Sequence, residues 1–360
     1  MTGLSDHLIR RIRLEGPLTL AQYMEECLAN PQHGYYTTRD PLGAGGDFVT
    51  SPEISQMFGE LIGVWAHLVW QTLGSPPGIN LIEAGPGRGT LMSDVIRSVR
   101  PFRRMAKVNL IELSPVLRDA QRQALSAHGL ALEPRWLDGF AHLPEGPAIF
   151  IANEFFDALP IRQFRRTEKG WQELLIGLDR DGALAPAIGP ETTDDSLIPG
   201  PCRSAAPGEV VEVCPGAMGI AHAIGDHLKT HGGAALIIDY GHLHSAPGDT
   251  FQAVRGHDYT DPLERPGEAD LTAHVDFQML AEAAMQGGAV VSPPTTQGAF
   301  LQALGIDIRC QFLATKASAA QAEVLKSGRD RLVGDEAMGR LFKVLGLASP
   351  GLGPLAGFPE

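Results

Sequence analysis

Positive charge is scarce in this chain of 360 residues: 29 Lys and Arg stand against 42 Asp and Glu, a formal net charge of -13. Gripping a phosphate backbone takes clustered Lys and Arg, so the balance argues against a general nucleic-acid binder. The short basic runs at 10–13 and at Arg103-Arg104 read as solvated faces. Paired cysteines are missing as well. Cys27, Cys202, Cys214 and Cys310 are scattered, with no CxxC and no metal-ligand spacing. That predicts reduced, mostly buried thiols of an intracellular protein, and no metal site. His242 and His244 alternate in "GHLH" without an acid or cysteine set beside them, which also speaks against a metal. No apolar run reaches membrane-spanning length, and the first sixteen residues lack the apolar core of a signal peptide. The expectation is a cytoplasmic protein without membrane insertion. There is no P-loop, no Ser/His/Asp constellation and no internal repeat.

What is present suits a large globular fold, with 44% hydrophobic residues to build a core. Leu20, Tyr23, Met24, Cys27 and Leu28 recur at helical spacing, and Asn30-Pro31 ends that helix. A glycine-rich loop follows. Thr50 and Glu53 then have capping-box spacing with Pro52 in the first turn, which predicts one helix running on to Gly74. From residue 79 strand and helix patterns alternate: strands at 79–83, at "KVNLIEL", at "PRWLDGF" and at "PAIFIANEFF", with Ser114-Pro115 opening the helix after the second. This rhythm predicts an α/β fold with a parallel sheet covered by helices on both faces. It breaks at 161–213, which reads as an inserted β-hairpin region with "DRDG" as a turn. Helix 215–230, strand "AALIIDYG", a polar loop, helix 272–286, a short helix after "TTQGAF", and strands near "IRCQFLA" and "LFKVLGLA" complete the core. Residues 349–360 read as a loose tail.

The densest chemical signal is "LIEAGPGRGTL", residues 81–91. A strand, a glycine turn and a helix start together let a ligand approach the main chain closely, and free N–H groups at the helix start suit an anion. A dinucleotide-binding G-x-G-x-x-G would need its third glycine at position 90, where Thr90 stands; Gly89 falls one residue short. The observed E-x-G-x-G-x-G is similar to the loop of class I S-adenosylmethionine methyltransferases. It places Glu83, Gly85, Pro86, Gly87 and Gly89 at a cofactor. Glu112, at the end of the second strand, can accept both hydroxyls of a ribose, or can simply cap the helix that follows. Asp138, ending the third strand, is a candidate for the adenine amino group.

Ligands of open α/β sheets lie beyond the carboxyl ends of the strands, so Asn153, Glu154 and Asp157 of "ANEFFDALP" should line the floor near the transferable methyl. An Asn-Glu pair straight after "IFIA" is a poor core filler, because burying an unpaired carboxylate is costly. If the acceptor is a guanidinium, paired carboxylates would orient it and take its proton. Glu154 and Asp157 fit that role, with Asp239 of the "ALIIDYG" strand a third candidate. "GGDFVTSPE" (45–53) reads as a lid over the methionine end of the cofactor, through Asp47, Thr50 and Ser51.

"GDFVTSPEISQMFGE", "LIEAGPGRGTLMSD", "IELSP", "ANEFFDALPIRQF", "LIIDYGH" and "ADLTAHVDF" occur in the order found in the MidA-like family, so the chain resembles that family from about residue 5 to residue 345. The family includes protein arginine methyltransferases of the mitochondrial complex I assembly factor 7 type. The resemblance implies a class I, Rossmann-like methyltransferase fold with a seven-stranded, mostly parallel sheet. It divides the chain into an N-terminal helical cap and lid (1–50), a first part of the core (51–160), the insertion (161–213), a second part (214–348) and the tail. It also implies S-adenosylmethionine as donor and, as protein partner, an arginine on the 49 kDa subunit of respiratory complex I, methylated during assembly. Lacking a transit peptide, a bacterial member would act in the cytoplasm. Three other readings stay open at this stage: a non-catalytic assembly chaperone with a structural cofactor pocket, a small-molecule methyltransferase and, weakest, a dehydrogenase. A homodimer is compatible with the sequence.

Overall fold

Every residue of Asn80–Ala84 and of Ala148–Asn153 is buried, the pattern of strands covered on both sides. In the computed structural model, which describes residues 3–38, 50–98, 104–126, 128 and 133–359, they lie side by side at the centre of the main sheet. We name its long strands β1 (Asn80–Ala84), β2 (Lys107–Ile111), β3 (Arg135–Leu137), β4 (Ala148–Asn153), β5 (Gly233–His242) and β6 (Phe342–Ala348). Their order is β6-β5-β4-β1-β2-β3, with β5 to β3 parallel and β6 antiparallel to β5. The register aligns Ala84 with both Ile111 and Ala152, and Ile238 with Asn153, so the carboxyl ends finish together.

The sheet has nine strands among the described residues, the six long ones and three two-residue ladders. Val275–Asp276 joins β5, and Val290–Val291 and Thr295–Thr296 join β6. Alternate residues of each strand feed two cores. On one face Leu81, Ile149 and Leu236 meet Phe58, Ile62 and Trp65 of helix Gln56–Thr72 and Leu91 and Val95 of helix Thr90–Ser98. On the other, Ile82, Phe150 and Ile237 meet Ala221, Ile224 and Leu228 of helix Pro215–His231 and Leu280 and Ala284 of helix Phe277–Gly287.

Residues 161–213 supply four antiparallel strands, with Asp179 Oδ1 accepting from the amides of Asp181 and Ala183 at 2.9 Å to close the "DRDG" turn. This sheet also takes in Leu18–Thr19, so the N-terminal helices Gly3–Glu15 and Leu20–Ala29 pack on it through Leu8, Tyr23 and Met24.

Four expectations need correction. "IRCQFLA" is not a strand: Ile306–Ala314 is helical, capped by Gly305 in the left-handed region and packed beside helix Ala319–Val333, which the sequence reading missed. A short apolar run does not distinguish strand from helix, and the neighbouring helix decides. The Thr50 cap makes no side-chain bond. Helix Ser51–Ile54 is a single turn broken at Ser55 (φ -160°), whose Oγ accepts from Met57 N at 3.3 Å and starts helix Gln56–Thr72. The "polar loop" after His242 contains a three-stranded sheet, Gln252–Arg255, Asp258–Thr260 and Asp270–Thr272. Finally, the tail is not loose: Leu355 is buried, and the Phe358 ring lies 5.2 Å from that of Phe300.

Candidate active site

Between β1 and helix Thr90–Ser98 the backbone turns left-handed at Gly85 (φ 63°), Gly87 (φ 53°) and Gly89 (φ 82°). Only glycine takes such angles without strain. At Gly85 space is short as well, since a Cβ there would lie 2.9 Å from Phe155 Cδ2. The turn is held from behind by Gln121, a fully buried residue that the sequence reading passed over. Its Nε2 donates to Gly87 O at 2.7 Å and to Glu112 Oε2 at 3.2 Å, while its Oε1 accepts from Trp136 Nε1 at 2.7 Å. One amide therefore ties together the ends of β1, β2 and β3.

Beyond these strand ends opens a cleft of about 580 Å³. Glu83, Gly85, Pro86, Gly87, Glu112 and Asp138 line one part of it; Asn153, Glu154, Asp157 and Thr50 line another. Gly89 stands further back, where a Cβ would come within 3.3 Å of Gln121 Cα. Glu112 Oε1 accepts from Ser114 N at 2.8 Å, just ahead of the helix Pro115–Ser126, and the residue also lines the cleft. Arg118, also unforeseen, donates to Glu112 O and to Asp138 and so fixes the two acids relative to each other. Asp47 lies outside the described residues. Ser51 is fully buried, and its N–H donates to Glu154 Oε1 at 2.9 Å.

Glu154 holds a left-handed backbone (φ 51°), unusual for a residue with a side chain and typical of functional sites. Asn153 Nδ2 donates to the same Oε1 at 3.0 Å. Asp239 is not at the cleft surface. It is fully buried beneath the floor, where its Oδ2 accepts from the amides of Phe155 (3.2 Å), Phe156 (2.9 Å) and Asp157 (3.2 Å). It shapes the loop that presents Glu154 and Asp157. Asp157 accepts a hydrogen bond from the Tyr240 hydroxyl, and Tyr240 also lines the cleft. Tyr36 and Asp270 complete this end. Asp270 falls within "ADLTAHVDF", but nothing local in the sequence pairs it with Tyr36.

Burial dominates the electrostatics. It raises Glu83 to about 8, with the charge of Glu112 adding to the effect. Glu154 is raised to about 7, again by burial, with Ser51 N–H opposing and Asp157 adding. Burial raises Asp157 to about 6 against the Tyr240 hydrogen bond. Asp239 is held well above the carboxylate range by burial and by the charges of Asp157 and Glu154. The lining includes eight carboxylates (25, 53, 83, 112, 138, 154, 157 and 270) and, among the described residues, a single cationic side chain, Arg88. The buried acceptors Glu83 Oε2 and Asn153 Oδ1 have no hydrogen-bond partner. Such a cleft suits a ligand that brings positive charge and donors.

The Glu83 shift predicts a pH effect on the ligand-free protein. A carboxyl that ionises near 8 in the fold, against an ordinary 4.5, keeps a proton that the unfolded chain has released. The fold therefore loses stability as pH rises from about 4.5 to about 8. Urea midpoints at pH 5.5 and 8.5 should fall more for wild type than for Glu83→Gln; equal falls would refute this.

The family model described as "Putative S-adenosyl-L-methionine-dependent methyltransferase" matches residues 61–295. A curated relative from Xenopus tropicalis, protein arginine methyltransferase NDUFAF7, mitochondrial, is 38% identical over 99% of this chain and 90% of its own length. The Homo sapiens protein of the same name is 36% identical over 96% of this chain and 83% of its own. A crystal structure from Burkholderia thailandensis, bound to S-adenosyl-homocysteine, superposes with a TM-score of 0.86 at 27% identity, covering 98% of this chain and 93% of that one.

Proposed function

Since the chain belongs to the S-adenosyl-L-methionine-dependent methyltransferase family matched over residues 61–295, we propose that its acceptor is the guanidinium of a protein arginine. The cofactor is S-adenosyl-L-methionine, which sets aside the dehydrogenase reading. When bound, it supplies an electrophilic methyl group on a positively charged sulfur. The residues present fit it. The main chain at Gly85–Gly87 would take its close approach, Glu112 its sugar hydroxyls and Asp138 its base, with the partnerless Glu83 Oε2 facing the same space. The finer class I assignment, with its seven-stranded core, rests on the same loop and on the parallel strand order.

The observation that carries the acceptor reading is the carboxyl-rich lining of the cleft: among the described residues, eight carboxyl side chains, one arginine and an unpartnered Asn153 Oδ1 beside Glu154. A guanidinium is protonated at neutral pH and offers only donors, in a rigid plane. Glu154 and Asp157 would grip it, and Glu154 would take the proton that the nitrogen sheds on methylation. Asp239, through the amides of 155–157, holds both acids in place. The N-terminal segment contributes Ser51 N–H to Glu154 and so couples its position to the floor.

The relatives' name points to mitochondria and to arginine, and we take the substrate to be an arginine on the 49 kDa-type subunit of respiratory complex I, modified during assembly. Mass spectrometry of that subunit with and without the gene tests this. One dimethylated arginine should disappear on deletion. Unchanged methylation alongside failed assembly would instead favour the non-catalytic chaperone reading.

A further inference from the structure

Tyr240 stands near the carboxyl end of β5, with its ring fixed from two sides. Phe342, its partner across the antiparallel ladder with β6, meets it edge-on at 5.5 Å, and the His274 ring does so at 5.7 Å. The Tyr240 hydroxyl donates to Asp157 Oδ2 at 2.5 Å. Behind it, Thr272 hydrogen-bonds to the same hydroxyl, and Thr272 Oγ1 accepts from Gln252 Nε2 at 3.2 Å. Gln252 and Thr272 face each other in the small three-stranded sheet, and the next residue, Ala273, donates its N–H to Asp157 O at 3.0 Å. An amide N–H can only donate and a carboxylate only accept, so the chain Gln252–Thr272–Tyr240–Asp157 has one direction, with each donor strengthening the next.

The two floor acids are therefore supported differently. Glu154 Oε1 accepts from Ser51 N and Asn153 Nδ2. Burial raises Asp157, and the Tyr240 hydroxyl opposes it first, ahead of the amides of Ala158 and of Asp157 itself. Two carboxyls in one buried floor resist ionising together, so a donor aimed at one of them decides which carries the charge. The other titratable groups around Asp157 are Asp239 beneath it, Tyr36 and Asp270 at the same end of the cleft, and His274 behind Tyr240. His274 is held below its ordinary value by burial and by His242 and Lys343, so it stays neutral and brings Asp157 no charge. Lys343 turns its Nζ to Arg340 O and Leu341 O.

We propose that Tyr240 is a positioning residue for methyl transfer: its hydroxyl fixes Asp157 as the charged anchor of the acceptor's cation and leaves Glu154 to receive the proton. This rests on the arginine reading above and deepens it by dividing the labour of the two acids. A carboxylate that stays charged throughout keeps the cation seated while the other acid changes charge. The small sheet serves the site through the same chain, since Thr272 and Gln252 stand behind the hydroxyl that holds Asp157.

The test uses the full chain saturated with S-adenosylhomocysteine, its aspartates isotope-labelled at the carboxyl carbon and titrated by NMR, with Asp157 assigned by the signal lost in Asp157→Asn. Tyr240→Phe keeps the ring contacts and removes only the hydroxyl. Its Asp157 midpoint should rise by about half a pH unit or more, since a hydrogen bond to the ionised form is lost. Affinity for acetyl-arginine methylamide should fall about 3- to 10-fold, while affinity for S-adenosylhomocysteine stays unchanged and shows that the variant folds. In methyl transfer the acceptor KM should rise more than kcat falls, and the rise of rate with pH that Glu154 confers should remain. Thr272→Val, which removes the donor behind Tyr240, should move the Asp157 midpoint the same way by a smaller amount. An Asp157 midpoint that stays in place in these variants, or an unchanged affinity of Tyr240→Phe for the arginine probe, would overturn the inference and leave the arginine reading intact. A wild type that holds S-adenosylhomocysteine but does not bind the arginine probe would overturn both.

Discussion

Glu154→Gln should lower kcat for methyl transfer by about 10²- to 10⁴-fold, the range for losing a positioned general base, with cofactor affinity unchanged. The substitution keeps volume and leaves an oxygen to accept from Ser51 N and Asn153 Nδ2, so the floor has no reason to collapse. What it removes is the ability to hold charge opposite a cation and to accept a proton. The pH profile separates this from a structural fault. With Glu154 raised to about 7, wild-type kcat/KM should climb as pH rises through 7, because only the ionised carboxylate can act as base. In the glutamine variant that limb should be gone and the residual rate flat across the same range. Full activity in the variant, or the same limb in both proteins, removes Glu154 from the chemistry.

The parts of this site that were legible in the sequence are those whose neighbours in space are neighbours in the chain. The glycine turn announces itself because strand, turn and helix are consecutive. Glu112, Asp138 and Asn153 could be placed because acids and amides at the ends of parallel strands have only one edge of the sheet to face. Asp239 was picked out by the same rule and put in the wrong layer. Asp239 lies inside β5 beneath the 154–157 loop, so its carboxylate turns to amides and not to the ligand. Tyr36 and Asp270 are 234 residues apart, and no local pattern could join them. Gln121 sits on a helix whose composition reads as solvent-facing, and only the packing of three strand ends around it reveals its role. Helix Ile306–Ala314 was lost for a related reason, since an apolar run takes its form from the helix packed against it.

Gly85→Val should abolish measurable S-adenosylmethionine binding, a loss on the order of 10³-fold or about 4 kcal/mol. Two effects add. A β-branched residue is strained at φ 63°, by roughly 1–2 kcal/mol. Its Cβ alone would stand 2.9 Å from Phe155 Cδ2, so either the turn or the floor loop must move. Movement of the floor displaces Glu154 and Asp157, and movement of the turn pulls Gly87 O away from Gln121 and disturbs the path the cofactor needs. The floor loop carries Phe156, a buried member of one apolar core with Phe155 packed against it, so its movement reaches the edge of that core, while the rest of both cores lies lower in the sheet. The variant should therefore still unfold cooperatively, with a somewhat lowered midpoint, while losing its thermal shift with S-adenosylmethionine. A retained shift would mean that the ligand does not approach the main chain at this turn. If the variant loses the shift yet still supports complex I assembly in a deletion strain, methyl transfer is not what assembly requires of this chain. The carboxylate-rich cleft would then have to be explained by binding a basic partner and not by turning it over.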